Sequence, residues 1–350
     1  MSEPIPVLIT GVGGRSVGHQ VLQAIQLAGK RYRPVVADAA AFSYGLYGAE
    51  RRFLLPPGNS PDYLDAVRRI VMREGIVAIL PGTQPETDVL SRNAASLGIG
   101  CHVIANPTDI IQLCKSKQTL QQWLEANSIA VPRSAQGGDW KKLADQCGFP
   151  LVAKPTEDTG GSRGVALLND EEEVKIYLQS FPAEKILFQE YVGCIDSEYT
   201  VGVMISKEGK IIDSIVMHRA LVGLSLGIKR ELNGKTYALS TGYSQGHIRK
   251  HSQIQSACED LALKLGARGP LNIQLRLHQG KVFVFEVHPR FSGTSSIRAQ
   301  VGFNEADTLI RNFVFGEQFG RLSYQTDVAA IRAFSSVIVP ARDIAAVPRA

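Results

Sequence analysis

Glu286, His288 and Arg290 recur at two-residue intervals in Val282-Phe-Val-Phe-Glu286-Val-His288-Pro-Arg290. Alternation along a strand puts such residues on one face. Apolar residues occupy both faces up to Glu286, so the strand reads as buried, and a buried carboxylate needs a neutralising partner. The preceding segment, Leu271-Asn-Ile-Gln274-Leu-Arg276-Leu, sets Asn272, Gln274 and Arg276 opposite an apolar face. In a hairpin of the two segments, Gln274 and Glu286 share a face if an odd-length loop joins them. The three residues Gln279-Gly280-Lys281, with Gly280 left-handed, meet that condition. Oxygen ligands at Gln274 and Glu286 then suit Mg²⁺ bridging phosphates, and Arg290 suits a transferring phosphoryl group or a substrate carboxylate. The competing reading is a Glu286–Arg290 ion pair in a core. Lys154 ends the apolar run Pro150-Leu-Val-Ala-Lys154 and precedes Thr159-Gly160-Gly161-Ser162-Arg-Gly164. A lysine beside a loop rich in backbone N–H groups suits a polyphosphate. The GxxxxGK[ST] pattern is absent, and a surface lysine before a hairpin loop is the alternative.

Two further motifs share the first turn, Gly11-Val-Gly13-Gly14-Arg15-Ser16-Val-Gly18. The glycines suggest a dinucleotide turn with Asp38 as ribose partner, although Ser16 stands where the third glycine of GxGxxG belongs. Glycines are also needed there simply to pack a helix close to a strand. Gly14-Arg-Ser16-Val-Gly18 is a literal GxSxG, but only one strand precedes it, whereas a hydrolase elbow borrows an N–H from an earlier strand's loop. His247 and His251 have the spacing of metal ligands on one helical face without a third ligand. The five cysteines form no CxxC pair or disulfide framework.

The elements that must hold these groups follow from periodicity. Strands at Pro6–Thr10, Arg33–Asp38, Ile76–Leu80 and 102–105 alternate with helices at 19–29, Tyr63–Glu74 and Pro85–Leu97. That order predicts a parallel sheet covered on both faces, ending near residue 113. A helix from Lys117 to Asn127 leads into a small mixed lobe with strands 150–155, 164–168 and 186–191 and helices 140–147 and 170–179. A third lobe carries hairpins at 198–218 and 271–287 around a helix at 252–265, and Ala330–Val339 reads as one more strand. Gly223–Tyr243 takes the position of a substrate loop. The 44% hydrophobic and 20% charged content excludes a disordered or coiled-coil chain. The net charge of +5, without a basic block, suits a small anionic ligand as well as a nucleic acid. No apolar run approaches the ~18 residues of a membrane span, and no signal core opens the chain, which predicts a cytoplasmic protein.

Taken in order, these residues resemble the ATP-grasp superfamily, particularly the carboxylate–amine ligases of the branch like the carbamoyl phosphate synthase large subunit. The resemblance covers nearly the whole chain. It implies an α/β protein with a preATP-grasp (Rossmann-like) domain over 1–113, to which Leu46–Pro56 and Ile79–Glu86 are similar. A two-lobed α+β ATP-grasp domain over 114–325 follows, its small lobe about 130–192 and its large lobe about 193–325, then a strand and tail over 326–350. Lys117 and Lys154 resemble the two nucleotide lysines, and Thr159, Gly160, Gly161 and Ser162 the lid over the phosphates. Gln189, Glu190, Tyr191 and Val192 resemble the hinge against adenine, and Glu198 the acid that binds ribose hydroxyls. Gln274, Glu286 and His288 take the metal positions, and Arg290 the catalytic one. His288 stands where the family usually has Asn, a poorer partner for Mg²⁺ that points to a shifted second metal or to Mn²⁺. Gln274 stands where many members have Glu, although this branch also uses Gln.

The reaction implied is phosphorylation of a small carboxylate, an amino acid among the candidates, by ATP. An amine then attacks the acyl phosphate to form a C–N bond, releasing ADP and phosphate. Arg219, Lys229, Arg230 and Arg298 are candidates for holding the substrate carboxylate, with solvated surface charge as the alternative for each. The partners implied are a small carboxylate and an amine, without nucleic acid or membrane, and a homodimer is compatible. A non-catalytic ATP-binding protein and a nicotinamide-dependent oxidoreductase stay as alternatives.

Overall fold

The computed structural model describes residues 3–156 and 164–350. The first block runs β1 (Ile5–Thr10), α1 (Val17–Leu27), β2 (Tyr32–Asp38), β3 (Arg51–Leu54), α2 (Tyr63–Glu74), β4 (Ala78–Leu80), α3 (Gln84–Arg92), β5 (His102–Val103) and α4 (Thr108–Lys115). Its strands form a parallel sheet in the order β3-β2-β1-β4-β5. Val7, Leu8 and Ile9 are all fully buried, as expected of a strand covered on both faces. Leu8, Val35 and Ile79 pack with Ala66, Val67 and Ile70 of α2, while Val7, Ile9 and Val36 pack with Val21, Leu22 and Ile25 of α1. α1 lies close to the end of β1 because residue 18 is glycine: a Cβ there would stand 2.2 Å from the Thr10 carbonyl oxygen. The Ser16 hydroxyl caps the helix, accepting from the His19 N–H at 3.2 Å. The predicted helix to Leu97 stops at Arg92, with a short 3-10 turn at Ala94–Ser96.

The second block comprises α5 (Lys117–Ala126), β6 (Ser134–Gln136), α6 (Trp140–Cys147), β7 (Leu151–Pro155), β8 (Ala166–Leu168), α7 (Glu171–Ser180) and β9 (Ile186–Glu190). Its antiparallel sheet, β6-β9-β7-β8, is packed by Trp140, Leu143, Val174 and Phe188. The third block adds β10 (Glu198–Ile205), β11 (Ile211–Arg219), β12 (Leu226–Leu232), β13 (Lys235–Ser240), β14 (Gly246–Ile248), α8 (Ser252–Lys264), β15 (Gly269–His278), β16 (Lys281–His288), α9 (Ser295–Gln300), α10 (Glu305–Phe315), β17 (Val328–Ala330) and α11 (Ala341–Ala345). Among the described residues its large sheet runs β16-β15-β10-β11-β14-β17, and β12 and β13 pair separately. Val201, Val203 and Ile273 pack with Ile254, Cys258 and Leu261 of α8. Met204, Ile215 and Met217 join Phe303, Leu309 and the core of α1 and β1. The first sheet and the large sheet therefore share one core.

Three expectations need correction. The connection between β15 and β16 is a two-residue turn, Gln279-Gly280, both left-handed at φ 49° and 72°. Gln274 still pairs with Glu286, because Leu275 pairs with Val284 and Phe285 bulges out of the ladder between them. The span 223–243 is largely the β12–β13 hairpin rather than a loop. Residues 331–340 are irregular, the strand there being only Val328–Ala330. Ile331, Phe334 and Ile338 are exposed, so a buried second face, which an alternating strand requires, is missing.

Candidate functional site

A cleft of about 270 Å³ opens where the three blocks meet. The small sheet supplies Lys154 of β7 with Gln189 and Glu190 of β9, followed by Tyr191 and Val192. The large sheet supplies Glu198, Arg219, Asn272, Gln274, Arg276, Glu286 and His288, followed by Arg290. Lys117 opens α5 beneath them, and Arg15 and Val17 come from the first glycine turn. The Lys154 ammonium donates to the Gln189 Oε1 at 2.8 Å and stands 4.9 Å from the centre of the Phe285 ring that the bulge exposes. Burial, with Lys117 nearby, lowers its pKa to about 8 against the opposing pull of Glu286. The Glu286 carboxyl, which burial would raise, is held far below the usual carboxylate range by His288, Lys154 and Lys117. Its Oε2 lies 3.3 Å from the His288 Nε2, which is also 3.3 Å from the Gln274 Nε2.

Glu198 is buried between two guanidinium groups, Arg219 at 2.9 Å and Arg276 at 3.0 Å, each on its own carboxylate oxygen. Against the upward effect of burial, these two hold its carboxyl below the ordinary range. Arg276 also lies 3.9 Å over the Tyr191 ring and donates to the Val192 carbonyl at 3.1 Å. The Tyr191 hydroxyl donates to the Ala238 carbonyl at 3.0 Å and so ties the segment after β9 to the β12–β13 hairpin. Glu190 is clamped by Arg133 at 2.8 and 3.0 Å. The Arg290 Nε donates to the Gln84 Oε1 at 3.1 Å, which links it to the first residue of α3.

The structure thus gathers Lys117, Lys154, Gln189, Glu190, Tyr191, Val192, Glu198, Arg219, Gln274, Glu286, His288 and Arg290 in one cleft. Thr159, Gly160, Gly161 and Ser162 lie outside the described residues. Two of the candidate substrate arginines are elsewhere. Arg230 is exposed on β12, away from the cleft lining, because it lies nearer the Asn233-Gly234 turn of the hairpin than Leu239, which does line the cleft. Arg298 is buried, bonded to Glu305 at 2.7 Å and to the Asn272 Oδ1 at 2.7 Å, so its charge is spent inside the core. Arg276, Phe285, Gln84 and Arg15 join the site without having been assigned a role from sequence. Arg276 sat on the polar face of its strand, which was a usable signal; Phe285 needed knowledge of the bulge.

A profile of the family described as "ATP-grasp in the biosynthetic pathway with Ter operon" matches residues 197–334. The carbamoyl phosphate synthase large chain of Clostridium botulinum (strain Langeland / NCTC 10281 / Type F) is 26% identical over 257 residues, covering 70% of this chain and 23% of that protein. The chain therefore spans about a quarter of the length of such relatives. An ADP complex of PurK, N5-carboxyaminoimidazole ribonucleotide synthetase, superposes with a TM-score of 0.66 at 14% identity, over 93% of this chain and 80% of that one. Over the matched segment, residues 197–334, the chain is an ATP-grasp protein, and it is distantly related to the carbamoyl phosphate synthase large chain. The same ATP-grasp architecture appears in the biotin carboxylase domain of Hydrogenobacter thermophilus 2-oxoglutarate carboxylase, solved with MgADP. The match has a TM-score of 0.61 at 16% identity, over 93% of this chain and 72% of that one. The superfamily is one of ATP-dependent ligases. No helix among the described residues is long and apolar enough to cross a membrane.

The donor set bears on the metal that ATP-grasp relatives carry. Among the described residues no group of three or more His, Cys, Asp or Glu side chains is placed to hold an ion. One carboxylate, Glu286, flanked by the Gln274 amide and the His288 imidazole, fits Mg²⁺ that arrives on nucleotide phosphates better than a self-sufficient metal cage.

Proposed function

We propose that the cleft binds ATP with Mg²⁺ or Mn²⁺ and activates a small carboxylate as an acyl phosphate for attack by an amine. The observation that carries this reading is the convergence of Lys154, Gln274, Glu286 and Arg290, from two different sheets, on one cavity. In this reading Gln189 to Val192 face the adenine. Glu198 receives the ribose hydroxyls. Lys117 and Lys154 hold the phosphates, joined by Thr159, Gly160, Gly161 and Ser162. Gln274, Glu286 and His288 hold the divalent ion, whose contribution when bound is to neutralise charge between the phosphates. Arg290 balances charge on the phosphoryl group in transfer. The acyl phosphate is already activated, so the amine needs no strong base. The division near residue 113 belongs to the same proposal, as does a cytoplasmic setting.

The test is ADP release with Mg²⁺–ATP and hydroxylamine over a panel of small carboxylates and amino acids. Carboxylate-dependent ADP together with a hydroxamate is the expected result. Tight ATP binding without turnover for any carboxylate, with Mg²⁺ or Mn²⁺, would replace the ligase by a nucleotide-binding protein.

A pH dependence follows from Lys154. A group whose pKa is about 8 is charged below that pH and neutral above it. Affinity for ADP in the absence of metal is therefore highest below pH 8 and falls as pH rises toward 10, by about tenfold if the lysine's contact is charge-assisted. Lys154→Met has low affinity at every pH and no such slope. Calorimetric titrations at several pH values measure both.

A further inference from the structure

One wall of the cleft is not needed by the nucleotide in this reading. It is formed by Arg15 and Val17 from the first glycine turn, and by Gly242, Ser244 and Gly293 from the large lobe. Arg15 is exposed there, with its guanidinium 5.1 Å from the centre of the Tyr243 ring, and it forms no ion pair with any described residue. Behind the wall lies Arg332. It donates to the Ser244 carbonyl at 2.9 Å, to the Gln20 Oε1 at 3.0 Å and to the Gly293 carbonyl, all neutral oxygens. Burial, with Arg219 near it, pulls its pKa down to about 10, the mark of a cation without a counter-ion.

The acids that line the cleft do not compensate. Glu190 is clamped by Arg133, Glu198 by Arg219 and Arg276, and Glu286 lies beside His288 and Lys154. Two guanidinium groups thus face or underlie one wall with no carboxylate left for them, a state that an anion from outside would relieve. The wall is continuous with Arg290, where the carboxylate to be activated must stand.

We infer that the substrate seated at this wall is a dianion: besides its reacting carboxylate it carries a second anionic group, carboxylate or phosphate, that pairs with Arg15 in the field of Arg332. The glycine turn is then the element that presents Arg15 to the substrate. This rests on the ligase reading given above.

The test uses the full chain saturated with Mg²⁺–ADP and three probes of similar length: butyrate, glutarate and 3-phosphonopropionate. Calorimetry should give at least one dianion a Kd about tenfold below that of butyrate. The tighter of the two identifies the second group. In Arg15→Gln the preference should fall to within about twofold while ADP affinity is unchanged. Equal binding of all three probes, failure of both dianions to bind, or a preference that survives in Arg15→Gln overturns the inference and leaves the nucleotide site standing. Failure of the wild-type protein to bind Mg²⁺–ADP overturns the ligase reading, and this inference with it.

Discussion

Carboxylate-dependent ADP release by Glu286→Gln falls by about a thousandfold, which corresponds to about 4 kcal/mol of lost transition-state stabilisation. The substitution keeps the shape of the side chain and removes the one anionic oxygen pair on the face shared with Gln274 and His288. Glu198 cannot take its place, since both of its oxygens are bonded to guanidinium groups. The same change deprives Lys154 of the carboxylate that supports its charge, so the slope of metal-free ADP affinity moves to lower pH. Steady-state kinetics over a Mg²⁺ series separates the effects: kcat falls and the Mg²⁺ requirement rises, while ADP still binds at pH 7. A loss smaller than tenfold would remove Glu286 from the reaction.

Glu305→Ala lowers the free energy of unfolding by about 3–5 kcal/mol, the cost of leaving a buried cation without its partner. Arg298 and Glu305 are 2% and 1% exposed and 2.7 Å apart, with Ser295 donating to the second carboxylate oxygen at 2.8 Å. The Arg298 guanidinium lies over Gly202, where a Cβ would stand 2.2 Å from the Nη1, and it donates to Asn272, which also receives the Thr200 hydroxyl at 2.9 Å. The pair therefore braces the strand that carries Gln274. Urea titration measures the loss, and the double variant Arg298→Met with Glu305→Leu should recover most of it, because an apolar pair needs no charge balance. A shift below about 1 kcal/mol would mean that water reaches the site.

Those two side chains also show where reading the sequence stops. Arg298 was a candidate for holding the substrate carboxylate, with solvated surface charge as the alternative, and neither is what the structure shows. Its partner is seven residues on, and burial of both follows only from the packing of α9 and α10. By contrast, the parallel sheet was legible from continuous apolar strands such as Val7-Leu-Ile9, and α2 from its periodicity, with the observed ends Tyr63 and Glu74 as expected. The shared face of Gln274 and Glu286 was legible too, since chemistry demanded it, but its cause was misplaced. An extra residue in the strand does what an extra residue in the turn was expected to do, and parity alone does not distinguish them. The hairpin of β12 and β13 escaped because β12 is largely exposed and its pattern is broken by the charged run Lys229-Arg-Glu231. Arg332 escaped because its surroundings are carbonyl groups from distant parts of the chain, which no side-chain pattern records.

The residues after α11 return to the first sheet. The Leu54 N–H donates to the Pro348 carbonyl at 2.8 Å, and the Ala350 N–H donates to the Leu54 carbonyl at 3.0 Å. β3 is the edge of that sheet. At about 5–20 residues per second, some 15–60 s of ribosomal synthesis separate the two partners. For that time the sheet can be complete except for its outer edge, with unpaired amide and carbonyl groups open to another nascent chain. Arg51 and Arg52 place two adjacent cations on the same edge, a feature that disfavours such pairing.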